Sequence, residues 1–486
     1  MQNTNSQIDP VDITKIGNLS HFSFLNEHQP VVNKAGTAMI GNLFHLPFSN
    51  GALPVVTNPG LFKPGNLQRV EISLGSGNAI LQVPENVQID DEPDSQAVLG
   101  RVKAFETFTA LENHLRVAVG ANTRKGSYSV SAELEVIDDK TQSNSHAYAV
   151  RTAHLGTHQL SLSNCYVDGA LNPDHFEPGI VDSISKNVPA QCLDMGDDAS
   201  IDAWIGFFQQ GSHICTSVTL GATAVLSGSV ERNRSVSLDQ MTLALTGQYN
   251  ALRFGGELST EQETALNAVM DTGTARFEVR GKGGHKGLLT QITSLDQTDK
   301  YQAWEKSITA ETMEPIHKGF VGIWELLPGS EGKRVEEAYN TLYTHFRRSH
   351  DLADGRSRRI RSGGEDMATR IGDNLLEIRA YHHPDGPRFA WQFQVADRGF
   401  LHVMNPASSH YLTGTKERGD IERLTLGRSH QLWSCVVLGE AGSDPQKDRW
   451  YIFNRTRNAG LSNNLSQTFF LTKPGIFGKS YRLPFH

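Results

Sequence analysis

Two histidines four residues apart and a glycine-lysine-serine string are the first residues in this chain whose spacing suggests chemistry. His154 and His158 have the spacing at which a helix presents two zinc ligands on one face, but the glutamate that acts as base in such a motif is missing and the surrounding pattern is strand-like. A structural pair is therefore the favoured interpretation. The string GIFGKS at Gly475 resembles the end of a phosphate-binding loop, but Lys473 stands where the first glycine of that loop belongs.

No further group converges with these residues on a reaction. His382 and His383 are adjacent, so a strand would point them to opposite faces and away from a shared metal ion. The chain has no GxSxG motif, the commonest nucleophile elbow of serine hydrolases. Its 4 cysteines form no CxxC pair, which argues against a zinc site and against a disulfide scaffold. We predict a protein that is not an enzyme and that needs no metal and no cofactor.

Length and charge bound the remaining function classes. At 486 residues, of which 38% are apolar, the chain is expected to build two or three packed domains. The formal net charge of −8 argues against nucleic-acid binding, which needs a basic face. The N-terminal stretch MQNTNSQIDPVDITK lacks the basic start and apolar core of a Sec signal peptide, so we expect a soluble protein that is released or secreted by another route.

Membrane-spanning character has to be sought in strands. No apolar run approaches the roughly 18 residues of a spanning helix, whereas a membrane strand needs only roughly 9 to 11 residues of alternating character. Between residues 125 and 137, apolar residues alternate with Ser and Glu, which predicts an amphipathic strand. After the turn-rich DDKTQSNS, the run HAYAVRTAHL can supply the second strand of a hairpin, although an ordinary half-buried hairpin has the same period. The alternating residues are Tyr128, Val130, Ala132, Leu134 and Val136.

A second region, from residue 221 to about residue 273, combines two signals. Its first half alternates apolar with polar or small residues, whereas residues 259–270 predict a helix with a capping box formed by Thr260 and Glu263. A segment that changes its fold would show both signals, and so would an ordinary mixed loop. The alternating residues are Val236, Leu238, Met241, Leu243 and Leu245.

The last third of the chain contains a repeat of Trp-centred strands. Trp391 and Trp433 each begin a similar pattern, and Gln431 with Trp433 forms a Q-x-W triplet. This repeat resembles the ricin-type β-trefoil lectins, whose first third would have to come from the preceding polar stretch; a β-prism or another β-sandwich remains an alternative. The candidate receptor-binding residues are Trp391, Asn405, Trp433, Trp450 and Asn454.

A polar, Arg-rich stretch divides the chain. A predicted amphipathic helix over residues 334–346 closes the first part, and the sequence SHDLADGRSRRIRSGGED has the composition of a linker. We therefore predict a first domain over residues 1–345, a linker over residues 346–374 and a β-rich domain over residues 375–486 that recognises a target surface.

The string FFQQGSHICTSVTLGATAV carries the most specific pattern. Gly211, Ser212 and His213, a six-residue gap, and then Gly221 resemble the signature of the membrane attack complex/perforin superfamily. The sequence departs from that signature at Gln210 and Ile214, which replace aromatic residues, and at Ala222, which replaces the second glycine.

Ordered matches on both sides support the same resemblance. Ser127–His154 resembles the first strand and hairpin region of the family, TARFEVRGKGG ends in Gly283 and Gly284 as its fourth strand does, and YQAWEKSI and PIHKGFVGIWELLP resemble its closing segment. The resemblance implies an α+β fold: a bent, twisted four-stranded antiparallel sheet, flanked by helical clusters near residues 122–156 and 228–274 that unfurl into membrane hairpins. Gly221, Ala222, Gly283 and Gly284 lack bulky side chains, as a sheet hinge requires.

The resemblance also implies a function. It indicates a pore-forming toxin that binds a target-cell membrane through a glycan or lipid receptor, assembles into a homo-oligomeric ring and inserts two β-hairpins per subunit as a transmembrane β-barrel. Bacterial relatives without a secretion signal include insecticidal proteins, and a fungal protein with a separate membrane-binding partner is the alternative. Two other functions stay open: a non-lytic surface-binding member of the family, and a lectin-like adhesion protein with the large domain as scaffold.

Overall fold

The computed structural model describes the greater part of the chain between residues 39 and 472. The described residues are 39–46, 48, 55–58, 62–63, 65–74, 77–90, 98–99, 102–108, 110–111, 127–131, 146–167, 170–231, 236–292, 297–353, 361–362, 365–369, 376–380, 390–414, 419–422, 431–437, 450–454, 459–463 and 469–472. His382, His383 and the GIFGKS string lie outside them.

Among the described residues, fourteen strands precede residue 323. They are β1 (Leu43–His45), β2 (Val55–Asn58), β3 (Leu67–Leu74), β4 (Gly77–Pro84), β5 (Val87–Asp90), β6 (Val98–Leu99), β7 (Lys103–Phe105), β8 (Ser127–Ser131), β9 (His146–Leu162), β10 (Tyr166–Val167), β11 (Ala170–Leu171), β12 (His213–Glu231), β13 (Arg276–Lys282) and β14 (Glu314–Gly322). His154 and His158 lie in β9, in agreement with the strand-like pattern around them.

Seven α-helices lie among the described residues. They are α1 (Ile180–Asn187), α2 (Asp198–Gln209), α3 (Leu238–Phe254), α4 (Thr260–Met270), α5 (Gly287–Thr290), α6 (Thr298–Lys306) and α7 (Gly329–Leu352), with 3-10 turns at Pro173–His175, Ile323–Leu326 and Asp397–Gly399. None of these helices is both long enough and apolar enough to cross a lipid bilayer.

Local sequence explains where the two helices after β12 begin. Ser237 and Gln240 form a capping box at the start of α3, and Gly255, in a left-handed conformation, ends it. Helix α4 has its own capping box, formed by Ser259 and Gln262. The capping box predicted at Thr260 and Glu263 is therefore wrong by one residue, because the extended N-cap conformation falls on Ser259.

Strand β12, 19 residues long, is the centre of an antiparallel sheet. It pairs with β9 from Ser217 to Glu231 on one side. On its other side it pairs first with β14, over residues 213–221, and then with β13, over residues 223–229. The predicted α+β class is confirmed, but the sheet contains ten described strands rather than four, because short strands pair along the ends of the long ones.

The predicted hairpin between residues 125–137 and 146–155 is wrong. Strand β8 pairs with β14, where Ser127–Ser131 lie opposite Val321–His317. Strand β9 pairs instead with β12 and with the short strands β5, β6 and β7. Alternation can predict a strand, but strand partners depend on contacts between distant parts of the chain.

The C-terminal part is built from short antiparallel strands. They are β15 (Arg361–Ser362), β16 (Glu365–Thr369), β17 (Leu376–Ala380), β18 (Gln392–Val395), β19 (Leu401–Asn405), β20 (His410–Gly414), β21 (Gly419–Glu422), β22 (Trp433–Val437), β23 (Trp450–Asn454), β24 (Ala459–Asn463) and β25 (Phe469–Thr472). Strands β15 to β17 form one sheet and β18 to β25 another.

The linker predicted over residues 346–374 contains ordered elements. Helix α7 continues through the predicted boundary to Leu352, and β15 and β16 both lie within the predicted linker. The interpretation as a linker is therefore wrong for these residues.

Candidate functional site

The three residues that open the signature hold the start of β12 in place. Gly211 has φ +146°, a conformation that favours glycine. Ser212 is fully buried, and its Oγ accepts a hydrogen bond from the Leu46 backbone N–H at 3.0 Å. The Ser212 N–H donates to the Phe44 carbonyl oxygen at 2.8 Å. One serine therefore joins β1, and the residue after it, to the central strand.

The signature histidine is a neutral core residue. The His213 side chain is fully buried, with its ring centroid 4.7 Å from that of Tyr339 and 5.2 Å from that of Trp324. Its Nδ1 lies 2.8 Å from Ser212 Oγ. Burial lowers the pKa of His213 well below its usual value, and the nearby His45 lowers it further. His213 therefore fixes β12 against α7 through ring contacts.

Gly221 and Ala222 lie where β12 changes its partner. Pairing with β14 ends at Gly221, and pairing with β13 begins at Thr223. On the β9 side, the register shifts between Leu220 and Ala222. Such irregularities bend a strand and increase its local twist. The change of partner and the register shift therefore both fall at residues that the sequence predicts as a hinge.

Gly283 and Gly284 directly follow β13, and Gly283 lies against Gly221 and Ala222. Both have left-handed φ angles, +71° and +62°. A Cβ atom at Gly283 would lie 2.5 Å from the Gly221 carbonyl oxygen and 2.8 Å from Ala222 Cα. Two backbones thus approach more closely here than any side chain allows. The structure brings all four predicted hinge residues together.

A tryptophan from α6 holds the glycine pair. The Trp304 side chain is fully buried, and its Nε1 donates to the Gly283 carbonyl oxygen at 2.9 Å. The Gly284 N–H donates to the Thr312 carbonyl oxygen at 2.8 Å. Trp304 belongs to the matched closing segment, but the sequence gives no sign of this contact with a residue 21 positions earlier.

Helices α3 and α4 cover one face of the sheet above the bend. Small sheet residues allow α3 to pack closely, and large residues of α3 fill the space between them. This core contains Ala147, Ala149, Ala222, Ala224, Leu226, Val230, Met241, Ala244, Leu245, Tyr249, Leu252, Ala265, Val269, Val279, Leu289, Tyr301 and Trp304. The central helix of this cover buries the face expected for apolar residues at a period of 3.6.

A cluster of charged residues, not predicted from the sequence, joins α3 to β9 and α6. The Arg151 guanidinium of β9 lies 3.6 Å from the centroid of the Tyr249 ring. Arg253 Nη1 donates to Tyr249 Oη at 3.0 Å, and Arg253 Nη2 lies 3.7 Å from Glu305 Oε1. Burial lowers the pKa of Arg151 and raises that of Glu305, which the charge of Arg253 partly offsets. Breaking these contacts is a requirement for moving α3.

The second set of predicted membrane residues is helical in this state. Val236 precedes α3, and Leu238 begins it. The side chains of Met241 and Leu245 lie on the buried face of α3, whereas that of Leu243 is 40% exposed. The strand predicted from their alternation is therefore wrong for this folded state, because the capping boxes and the buried face favour a helix.

The first set is only partly described. Tyr128 and Val130 lie on β8, at the register positions opposite Phe320 and Lys318 of β14. Ala132, Leu134 and Val136 lie outside the described residues.

The predicted receptor-binding residues belong largely to the core. The side chains of Trp391, Asn405 and Trp433 are all fully buried, so their assignment to a receptor surface is wrong. Trp433 Nε1 donates to the Leu412 carbonyl oxygen at 2.9 Å, and Asn405 Nδ2 donates to that of Ala390 at 2.8 Å. An aromatic repeat looks the same in sequence whether it fills a core or a binding surface.

The other two predicted receptor-binding residues lie on β23. Trp450 and Asn454 are the two ends of β23. In the described ranges, no group of three or more His, Cys, Asp or Glu side chains could hold a metal ion.

Comparison with known families and structures gives one match that spans most of the first part. The MAC/Perforin domain matches residues 68–351. No curated protein matches the chain. Among solved structures, GNIP1Aa from Chromobacterium piscinae is 14% identical, with a TM-score of 0.45 over 93% of this chain and 92% of that chain.

Two of the structures similar to part of the chain are small proteins. SeviL bound to asialo-GM1 saccharide is 20% identical and covers 26% of this chain and 95% of that chain, with a TM-score of 0.22. ThreeFoil, a designed 3-fold symmetric protein, is 13% identical and covers 27% of this chain and 99% of that chain, with a TM-score of 0.23.

Proposed function

The chain belongs to the MAC/Perforin family, and on that premise we propose that it is a pore-forming protein that assembles on a target membrane and converts two segments into membrane hairpins. The first segment is residues 106–145, between β7 and β9, and it contains β8, which would have to separate from β14. The second is residues 232–275, between β12 and β13. The C-terminal strands supply recognition of a sugar or lipid on the target surface.

The position of the two segments in the fold supports this proposal. Phe105, the last residue of β7, lies opposite Tyr148, near the start of β9. His146 in turn lies opposite Glu231, the last residue of β12, and Ser229 lies opposite Arg276, the first of β13. The ends of both segments therefore lie at the same end of the sheet, whereas β8, inside the first segment, pairs with β14 beside the start of β12. Extended strands would continue the existing pairs in register and in the same direction.

The sequence of α3 is the observation that carries the proposal, because it satisfies two patterns. As a helix it buries one face and leaves Leu243 on the other. As a strand it would sort into an apolar face and a polar face, which is the pattern of a membrane strand between lipid and water. The apolar face would be Met241, Leu243, Leu245, Gly247, Tyr249 and Ala251, and the polar face Gln240, Thr242, Ala244, Thr246, Gln248 and Asn250.

The lengths also agree with insertion. Helix α3 has 17 residues and α4 has 11, and a membrane strand needs roughly 9 to 11. A single inserted hairpin would leave its strand edges unpaired in hydrocarbon, where each unpaired backbone group costs several kcal/mol. Closure of a ring of subunits removes those edges. We therefore propose a homo-oligomer as the inserted form.

A charge placed at alternate positions of α3 tests the proposal. In the folded protein, residue 243 is exposed and residue 250 is partly exposed, so an arginine at either site should change the free energy of unfolding by only about 0.5 kcal/mol. In the inserted strand, only residue 243 faces lipid, where arginine costs about 2 to 4 kcal/mol per subunit near the midplane. We expect Leu243→Arg to reduce dye release from liposomes at least tenfold and Asn250→Arg to retain it.

The outcomes of this comparison are distinct. Equal loss of release in both variants, with normal urea unfolding, would contradict the strand register. Binding of the unmodified protein to liposomes of target-tissue lipid and glycolipid, without release, would favour the non-lytic surface protein. Binding to immobilised glycans with no affinity for those liposomes would favour the lectin-like adhesion protein.

A further inference from the structure

A short turn fastens the C-terminal strands to the helices of the first part. This junction consists of the turn Asp397–Gly399 and Phe400, seated on α2 and α7. Arg398, in a left-handed conformation with φ +54°, donates from Nε to Asp202 Oδ1 at 2.5 Å and from Nη2 to Asp202 Oδ2 at 2.7 Å. A two-point contact of this kind fixes orientation as well as distance.

Apolar packing completes the junction. Gly399 has φ +74°, and a Cβ atom there would lie 2.8 Å from the Phe346 ring of α7. Phe400 is buried, with its ring centroid 4.7 Å from that of His345. Phe400 and Leu432 belong to the same core as Tyr339 of α7. The two parts of the chain therefore share one hydrophobic core at this point.

His345 is the titratable group inside that contact. Its ring centroid lies 4.7 Å from that of Phe400 and 5.9 Å from that of Phe346. Burial lowers the pKa of His345 to about 4, a hydrogen bond with the Arg398 backbone opposes this shift, and the charge of Arg348 adds to it. Nε2 of this imidazole is buried without a hydrogen-bond partner among the described residues. The docked histidine is thus neutral at pH 7.

We propose that the junction is an acid-sensitive lock, in which protonation of His345 releases the C-terminal strands from α7. A proton would place a cation in a site that is shielded from water and where the charge of Arg348 opposes it. Arg347 and Arg348 of α7 carry the same sign. Asp202 of α2 and Asp397 of the turn are both held by Arg398.

The direction of the pH effect follows from the two states of His345. Exposed, the imidazole has its ordinary pKa of 6.5; docked, its pKa is about 4. Docking is therefore at full strength above pH 6.5 and weakens as the pH falls towards 4, because only the separated state takes up the proton. The hydrogen bonds from Arg398 lower the pKa of Asp202, so this ion pair persists over that range. Protonation of His345 therefore has to overcome an ion pair whose strength is constant over this pH range.

A distance measurement across the junction tests the proposal in solution. Spin labels would be placed on Cys192, which is exposed on the first part, and on Gln394→Cys, exposed on β18. Cys165 and Cys435 would be replaced by serine. Cys215 stays unlabelled, because it is buried and burial raises its pKa to about 12. We expect the label distance to increase with a midpoint between pH 6.5 and pH 4.

Three variants separate the lock from general acid effects. His345→Phe should keep the docked distance throughout that range. His402→Phe should behave like the parent protein, because His402 is a half-buried histidine of lowered pKa whose ring packs on Tyr411. Asp202→Asn removes the ion pair with Arg398 and should move the midpoint of the distance change to higher pH. This variant keeps the proposal testable if His345→Phe fails to fold.

Two results would overturn the acid-sensitive lock. One is an unchanged label distance from pH 7.5 to pH 4.5 in the parent protein and in Asp202→Asn. The other is a transition in His345→Phe with the parent midpoint. No membrane is present in this experiment, so its outcome is independent of whether the protein forms pores.

Discussion

Ser212 shows how one short polar side chain can fix a strand in a sheet. It is fully buried, and its Oγ both accepts from the Leu46 N–H and contacts His213 Nδ1. The signature pattern could be predicted from the sequence because it is local. The hydrogen-bond partner could not, since Leu46 lies 166 residues earlier in the chain.

Removing this hydroxyl should therefore destabilise the protein. We expect Ser212→Ala to lower the free energy of unfolding by about 1 to 3 kcal/mol, because it leaves the buried Leu46 N–H without an acceptor. Ser183→Ala, at an exposed position of α1, serves as the control and should stay within about 0.5 kcal/mol of the parent. Urea unfolding of both variants measures the difference, and equal stabilities would contradict this role.

Arg151 and Trp391 mark the limits of sequence reasoning at the same scale. The stacking of Arg151 on Tyr249 joins β9 to α3, and no periodicity connects two residues so far apart. Trp391 was expected on a receptor surface and is fully buried. Amphipathic aromatic residues occur in cores and in interfaces, so residue type alone does not separate the two.

At the scale of elements, α3 explains why a prediction from alternation could fail. Its apolar residues satisfy a period of two and a period of 3.6, and the capping box of Ser237 and Gln240 stabilises the helix. The position of the glycine pair at the end of a strand was predictable, because Gly283 and Gly284 follow a strand-like run directly, whereas their role as a hinge stays a prediction. The hydrogen bond from Trp304 to Gly283 was not predictable, because it depends on tertiary structure.

The hinge makes a prediction of its own. Gly283→Ala should lower the free energy of unfolding by about 1 to 3 kcal/mol, because its positive φ is strained for alanine and the new Cβ would meet the Gly221 carbonyl oxygen at 2.5 Å. Gly287→Ala is the matched control, since nothing lies within 4 Å of a Cβ atom there. Urea unfolding compares them; a Gly283→Ala protein as stable as the control would show that this backbone contact is dispensable.

At the scale of the whole molecule, the two segments proposed to insert have their ends at the same end of the sheet. Strand β7 ends, β9 begins, β12 ends and β13 begins at one end of the sheet. The sequence placed the first segment at about residues 122–156, whereas residues 146–155 already belong to β9. The error has a physical cause: alternation marks strands, but only the pairing shows where a sheet stops.

Whether α3 becomes a membrane strand can be measured by scanning this helix with an environment-sensitive dye. Single cysteines at each position from 240 to 250 would carry the dye, and its emission would be compared in solution and on liposomes. We expect the dye emission to shift to the blue on membranes at odd-numbered positions only, which is a period of two residues. A period near 3.6 residues, or unchanged spectra on membranes that the protein permeabilises, would contradict it.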